Sequence, residues 1–177
     1  MIKNDLKRYQ KGGTASWLWI FMFSPGYRFM VLFRLCNKMA KFNPAGLIGR
    51  LWYKRLQVKY GFQIPFTTKI GNGLFLGHYG NIVINQGLTL CENCNIAQGV
   101  TLGYVSRGEK KGCPTIGSRV WIGANSVVVG KIRIGNDVLI APLSYVNFDV
   151  ADQSTVAGNP AKVISGSGSE GYINYKV

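Results

Sequence analysis

The chain has 177 residues, 47% of them hydrophobic. That is enough for one compact core plus an extension. Lys and Arg number 21 against 7 acids, and the excess is uneven: residues 1–61 hold 12 basic side chains and one acid, Asp5, while residues 62–177 hold nine and six. Four cysteines in so aliphatic a chain exclude a disulfide framework, and a single histidine leaves a zinc site short of ligands, so no metal is expected.

The front of the chain reads as a helical extension over residues 1–61. Residues 2–11 form a short polar helix that Gly12-Gly13 ends. Thr14 can cap a second helix carrying Trp17, Leu18, Ile20, Phe21 and Met22, and Ser24-Pro25 starts a third that runs to about Phe42. Asn43-Pro44 repeats that start signal for a fourth helix ending at Gly61. The run WLWIFMF at 17–23 is intensely apolar but too short to span a bilayer, and no secretory signal is legible, which points to a cytoplasmic protein.

The third and fourth helices mix Phe29, Phe33, Leu47, Leu51 and Trp52 with cations such as Arg28, Arg34, Lys38, Lys41, Lys54 and Lys59. One reading packs the aromatics on each other and on the rest of the fold, with the cations solvated. A second lays residues 14–60 on an anionic membrane at its inner face. Nucleic acid is not expected as a partner, because no recognised motif accompanies the charge.

From Ile70 to Val146 aliphatic side chains return every sixth position. Ile70, Leu76 and Ile82 are followed by Ile84, Leu90, Ile96 and Leu102, and after an insert by Ile116, Ile122, Val128, Ile134, Ile140 and Val146. Neither a period of 3.6 nor one of 2 explains this beat. It suits short strands that turn corners, three to a triangular coil of roughly 18 residues, stacked as a solenoid. The pattern resembles the hexapeptide-repeat class, and that resemblance implies a mainly β fold, a left-handed parallel β-helix over residues 62–164 behind a short α-helical extension. The aliphatic residues are read as the corner positions. Positions four later (Val100, Val120, Ser126, Ile132, Val138, Ser144) share the narrow interior.

The same phase reads Cys94 as an inner small position and Cys91 as a usual glycine place, so their C-x-x-C is structural rather than redox. The beat breaks at residues 103–115, where a polar, proline-terminated loop leaves the coil; such a loop marks the side where a ligand sits. The Gly/Ser-rich segment 165–177 reads as a flexible tail.

The stretch IGNGLFLGHYGNIVINQGLTLCENCNIAQGVTLG, with PTIGSRVWIGANSVVVGKIRIGNDVLIA and VAGNPAKVI, resembles the catalytic domain of serine acetyltransferases and related sugar O-acetyltransferases of the hexapeptide-repeat class. The resemblance covers about residues 62–164, and SPGYRFMVLFRL is similar to the end of the family's longer helical domain. It implies acetyl-CoA as co-substrate, a homotrimer with sites between subunits, and direct transfer. His78 falls on the family's general base, flanked by Gly77 and Tyr79 on the acceptor side. Gly103, Tyr104, Ala124 and Pro142 would lie along the pantetheine arm, and Lys162, with Arg119 or Lys131, would meet the phosphates.

Three departures bear on the acceptor. The aspartate that orients the family's histidine aligns with Gln63, its acid beside the histidine with Gly77, and its Arg-His pair with Gly112-Cys113. These are the charges that a zwitterionic amino acid would use. They favour a neutral sugar hydroxyl of an envelope polysaccharide or its precursor over L-serine, with a non-catalytic scaffold as a further alternative. Cys113 can be read as a nucleophile or as pocket lining, and lining is the expectation.

Overall fold

The computed structural model describes residues 1–10, 12–39 and 43–177. Lys11 and residues 40–42, which include Lys41 and the expected end of the third helix at Phe42, lie outside the described residues. From Phe62 to Gly158 the chain winds as a left-handed parallel β-helix whose short strands stack into the three faces of a prism, and residues 161–165 then fold back antiparallel to close it. The first face holds β1 (Phe62–Gln63), β4 (Ile82–Ile84), β7 (Thr101–Gly103), β10 (Val127–Val129) and β13 (Tyr145–Val146). The second holds β2 (Lys69–Ile70), β5 (Thr89–Leu90), β8 (Thr115–Ile116) and β11 (Arg133–Ile134). The third holds β3 (Phe75–Leu76), β6 (Asn95–Ile96), β9 (Trp121–Ile122), β12 (Leu139–Ile140), β14 (Thr155–Gly158) and β15 (Ala161–Ser165). Neighbours in each face are three strands apart in sequence through most of the stack, so each coil spends one strand on each face.

The six-residue beat works because each face takes one inward side chain per coil. Leu76, Ile96, Ile122 and Ile140 stack in register on the third face, all buried. These residues end strands rather than occupying corners, which corrects the sequence reading. The corners fall to the positions just before the next strand: Val100, Val120 and Val138 are fully buried there. Ahead of each sits a residue with left-handed backbone, such as Asn93, Arg119 and Asp137 (φ 55–58°) on one edge and Asn125 and Leu143 (φ 58° and 61°) on another. Stacked turns also touch backbone to backbone: a methyl group on Gly117 would come within 2.4 Å of the Gly135 carbonyl oxygen.

Four helices precede the coil, α1 (Ile2–Gln10), α2 (Trp17–Phe23), α3 (Pro25–Lys38) and α4 (Pro44–Tyr60), and α1, α3 and α4 pack on its first turn. Ser16, not Thr14, caps α2, its hydroxyl accepting from the Leu18 N–H, and Pro25 stands at the start of α3 as expected. Phe29 packs on Tyr53 and Phe62 at ring separations of 4.9 and 5.0 Å, giving the solenoid an aromatic floor. The packing reading therefore accounts for Phe29 and Phe33, which are buried, but not for Leu47, Leu51 and Trp52, which are exposed.

α1 is fastened by charges that a sequence reading leaves in solvent. The Arg34 guanidinium donates to both oxygens of Asp5 (2.9 and 3.2 Å) and to the carbonyls of Ile70 and Gly71, while the Gly73 N–H donates to Asp5 at 2.8 Å. Arg8 donates to the carbonyl of Gly73, the Asn95 side chain and the carbonyl of Asn174. The last contact meets the tail. Instead of hanging loose, residues after 165 lie along the prism: Ser169 and Ile173 are buried, and the Val177 N–H donates to Asn93 Oδ1 at 2.8 Å.

Candidate active site

His78 leaves β3 at the edge between the third and first faces, where its side chain is exposed. Among the described residues, none shares a hydrogen bond or ion pair with its imidazole. The loop that carries it is gripped from both ends. Tyr9 of α1 accepts from the Leu76 N–H at 2.9 Å and stacks on Phe75 at 4.8 Å, and beyond the histidine Gly80 and Asn81-Ile82 return to the end of α4, the Gly80 N–H donating to the Tyr60 carbonyl at 2.9 Å. α3 presses on the same point, since a methyl group on Gly26 would come within 2.1 Å of the Leu76 carbonyl oxygen. The helical layer is thus the seat of the histidine loop. Sequence reading missed Tyr9, which shows no motif; its contact depends on α1 folding back over the first coil.

Strand register brings part of the expected site onto this edge. Leu76, Ile96, Ile122 and Ile140 are paired across successive coils, and two residues after each stand His78, Gln98, Ala124 and Pro142. At about 4.8 Å per coil, Ala124 and Pro142 stand roughly 10 and 14 Å along the edge from His78. The Leu143 N–H donates to the Ala124 carbonyl at 2.9 Å. Gln98 joins the column unforeseen; the coil repeat was the signal that could have placed it.

Gln63 opens the first face, its side chain exposed, and lines an open groove of about 1040 Å³ between that face and α4. Gly103, Asn81, Asn85 and Lys54 share the groove, in which Lys54 is the sole charged residue among those described. His78 does not line it, and no hydrogen bond joins Gln63 to His78 among the described residues. Gly77 and Tyr79 flank the histidine, both exposed; Tyr104 is exposed at the start of the loop, and Lys162 on β15 is exposed at the far end of the stack.

Two expected residues sit on other edges. Arg119 lies between the second and third faces, and its guanidinium is held by both oxygens of Asp137 at 2.6 Å. That charge is already engaged, and the pairing keeps the Asp137 carboxyl below its ordinary range. Cys113 lies between the first and second faces in the loop 103–115, which folds back as a small hairpin bridged at Val105 and Gly112. Its Sγ faces Asn85 Oδ1 at 3.3 Å, and burial pushes the thiol up, away from the thiolate that nucleophilic attack requires. Cys94 is fully buried with its Sγ 3.2 Å from the Gly117 carbonyl oxygen, its thiol pushed up to about 12 mainly by burial; Cys91 is only half-buried.

The coil, the loop and an edge carrying one imidazole define a hexapeptide-repeat acyltransferase. Residues 113–147 match the family model described as bacterial transferase hexapeptide (six repeats). The serine acetyltransferase of Helicobacter pylori (strain ATCC 700392 / 26695) is 32% identical over 146 residues, covering 82% of this chain and 85% of that protein. That of Synechococcus elongatus is 33% identical over 144 residues, covering 81% of this chain but 59% of its own length. The crystal structure of Neisseria gonorrhoeae serine acetyltransferase in complex with serine superposes with a TM-score of 0.76 at 30% identity, covering 93% of this chain and 67% of that one. The chain belongs to the serine acetyltransferase-like family of hexapeptide-repeat acetyltransferases, enzymes that draw their acyl group from acetyl-CoA.

Proposed function

We propose that this chain transfers the acetyl group of acetyl-CoA to a hydroxyl, with His78 as general base. The observation that carries the reading is the edge column: a solvent-open imidazole at one end, and the turns at Ala124 and Pro142 leading away from it, along which an extended pantetheine arm can lie. His78 takes the proton of the acceptor hydroxyl as its oxygen attacks the thioester carbonyl. The tetrahedral intermediate collapses with loss of the coenzyme A thiolate, and the imidazolium returns the proton to that sulfur. Backbone N–H groups beside the loop stabilise the oxyanion. Gln63, which is not hydrogen-bonded to His78 among the described residues, offers no charge to steady the imidazolium.

L-Serine is the acceptor that the relatives' names favour, and none of those relatives is named for a polysaccharide. A second reading, a neutral sugar hydroxyl, rests on the charge inventory: no carboxylate lines the groove at Gln63 among the described residues, and Gly77 and Cys113 bring none to the edges they occupy. The reading includes a trimer, because within one chain His78 and the loop with Cys113 stand on different edges and only a neighbouring copy can set one against the other.

Thiol release from acetyl-CoA by the purified chain tests this. Saturable turnover with L-serine, lowered about 10²–10⁴-fold by His78→Ala, supports the first reading. Turnover with sugar acceptors and none with serine supports the second. Equal rates for the wild-type chain and His78→Ala reject both, and a monomer in light scattering rejects the shared site.

A further inference from the structure

We infer that α2 and the outer face of α4 form a docking surface for an anionic lipid bilayer. Most of α2 faces outward: Ile20 alone is buried, and Trp17, Trp19, Met22 and Phe23 are exposed, Trp19 at 61%. On α4, Leu47, Leu51, Trp52 and Val58 are exposed as well, Trp52 at 62%. The two surfaces are joined through α3. Arg28 donates to the carbonyls of Phe21 and Met22 at the end of α2 and, at 2.9 Å, to the Tyr60 hydroxyl at the end of α4. Large apolar patches of this kind on a soluble protein mark interaction sites.

Charge selects the occupant. Lys54, Arg55 and Lys59 rise among Leu51, Trp52 and Val58 around a shallow groove of about 1000 Å³. The one acid of residues 1–61, Asp5, is buried against Arg34, so the helical layer shows no exposed carboxylate among its described residues. A second copy would bring the same positive face against this one, a repulsion that only distant parts of the chain could relieve. A bilayer with acidic headgroups supplies what the surface lacks: a hydrocarbon boundary for Trp17, Trp19 and Trp52, and phosphates for the cations that share the groove with Leu51, Trp52 and Val58. No described helix is long and apolar enough to cross a membrane. The contact therefore lies in the headgroup plane.

Co-sedimentation of the full chain with sucrose-loaded vesicles is the test. Binding is expected to vesicles of phosphatidylcholine with about a third phosphatidylglycerol, to weaken with salt, and to be slight for phosphatidylcholine alone. Lys54→Gln with Arg55→Gln should lower partitioning about 30-fold, at roughly a factor of five per cation. Trp17→Ser with Trp19→Ser should weaken binding at any salt. All four positions are exposed, and unchanged melting curves verify that the variants fold. Equal binding to neutral and acidic vesicles, indifference to both double variants, or no binding at all overturns the inference. So does light scattering in which the Trp variants break up an assembly of copies, since a second copy would then be the occupant.

Discussion

Replacing Asp5 by Ala tests how firmly the helical layer is fastened to the coil. In the native chain Asp5 and Arg34 are 1% and 2% exposed, and the carboxylate accepts from two guanidinium nitrogens and from the Gly73 N–H. Removing it strands a buried cation, which costs about 3–5 kcal/mol where nothing else compensates. It also leaves the Gly73 N–H without an acceptor, at about 1–3 kcal/mol. Arg34 retains the carbonyls of Ile70 and Gly71, which offsets part of the loss. A net cost of about 4 kcal/mol follows, and at roughly 2–4 °C per kcal/mol the melting temperature should fall by about 8–16 °C. The chain has one cheaper response, release of α1 so that water reaches Arg34. Release would also withdraw Tyr9 from Leu76, so hydrogen exchange at the Leu76 amide should accelerate before the coil unfolds. Asp5→Ala combined with Arg34→Met should recover part of the loss, because no charge is then stranded. Melting within about 2 °C of the parent, or a double variant no better than the single one, would refute the reasoning.

Tyr9→Phe removes the acceptor of the Leu76 N–H while keeping the ring on Phe75; a several-fold fall in kcat with KM for acetyl-CoA unchanged is expected from thiol-release kinetics, and an unchanged kcat rejects a positioning role. The Arg119–Asp137 pair predicts an acid limb in stability. Hydrogen bonding from Arg119 depresses the folded-state carboxyl, so the pair's contribution is complete above the ordinary carboxylate range and disappears as pH falls through the depressed value. Asp137→Asn should flatten that limb in melts recorded between about pH 5 and 2, and an identical pH profile counts against the pair.

The prism was legible because its inward positions obey a bare distance rule: each coil places one aliphatic side chain per face, so Ile122 and Ile140 announce their stacking from 18 residues apart. That same spacing separates Arg119 from Asp137, so the coil repeat also makes their pairing legible. His78 was legible only through resemblance, since an exposed histidine carries no signal of its own. The docking of α1 was not legible at all. Asp5, Arg8 and Arg34 look like ordinary surface charges in a basic segment, and their burial follows from a tertiary contact between helices and turns more than 28 residues apart. Exposed Leu51 and Trp52 show the converse, apolar residues at helical spacing that tertiary packing leaves uncovered.

The aromatic floor beneath the first coil sets how the chain can be divided. Phe62 and Ile64 are almost wholly shielded: the Phe29 ring packs on Phe62 from the helical side, and the Tyr53 hydroxyl donates to the Ile64 carbonyl. Cutting at residue 61 would bare that surface to water and unseat the loop of the lone histidine in one stroke. The helices and the coil are consecutive in sequence but share one packed core, so they should melt as a single cooperative body, and a fragment of either should be recovered as aggregate rather than as a folded half.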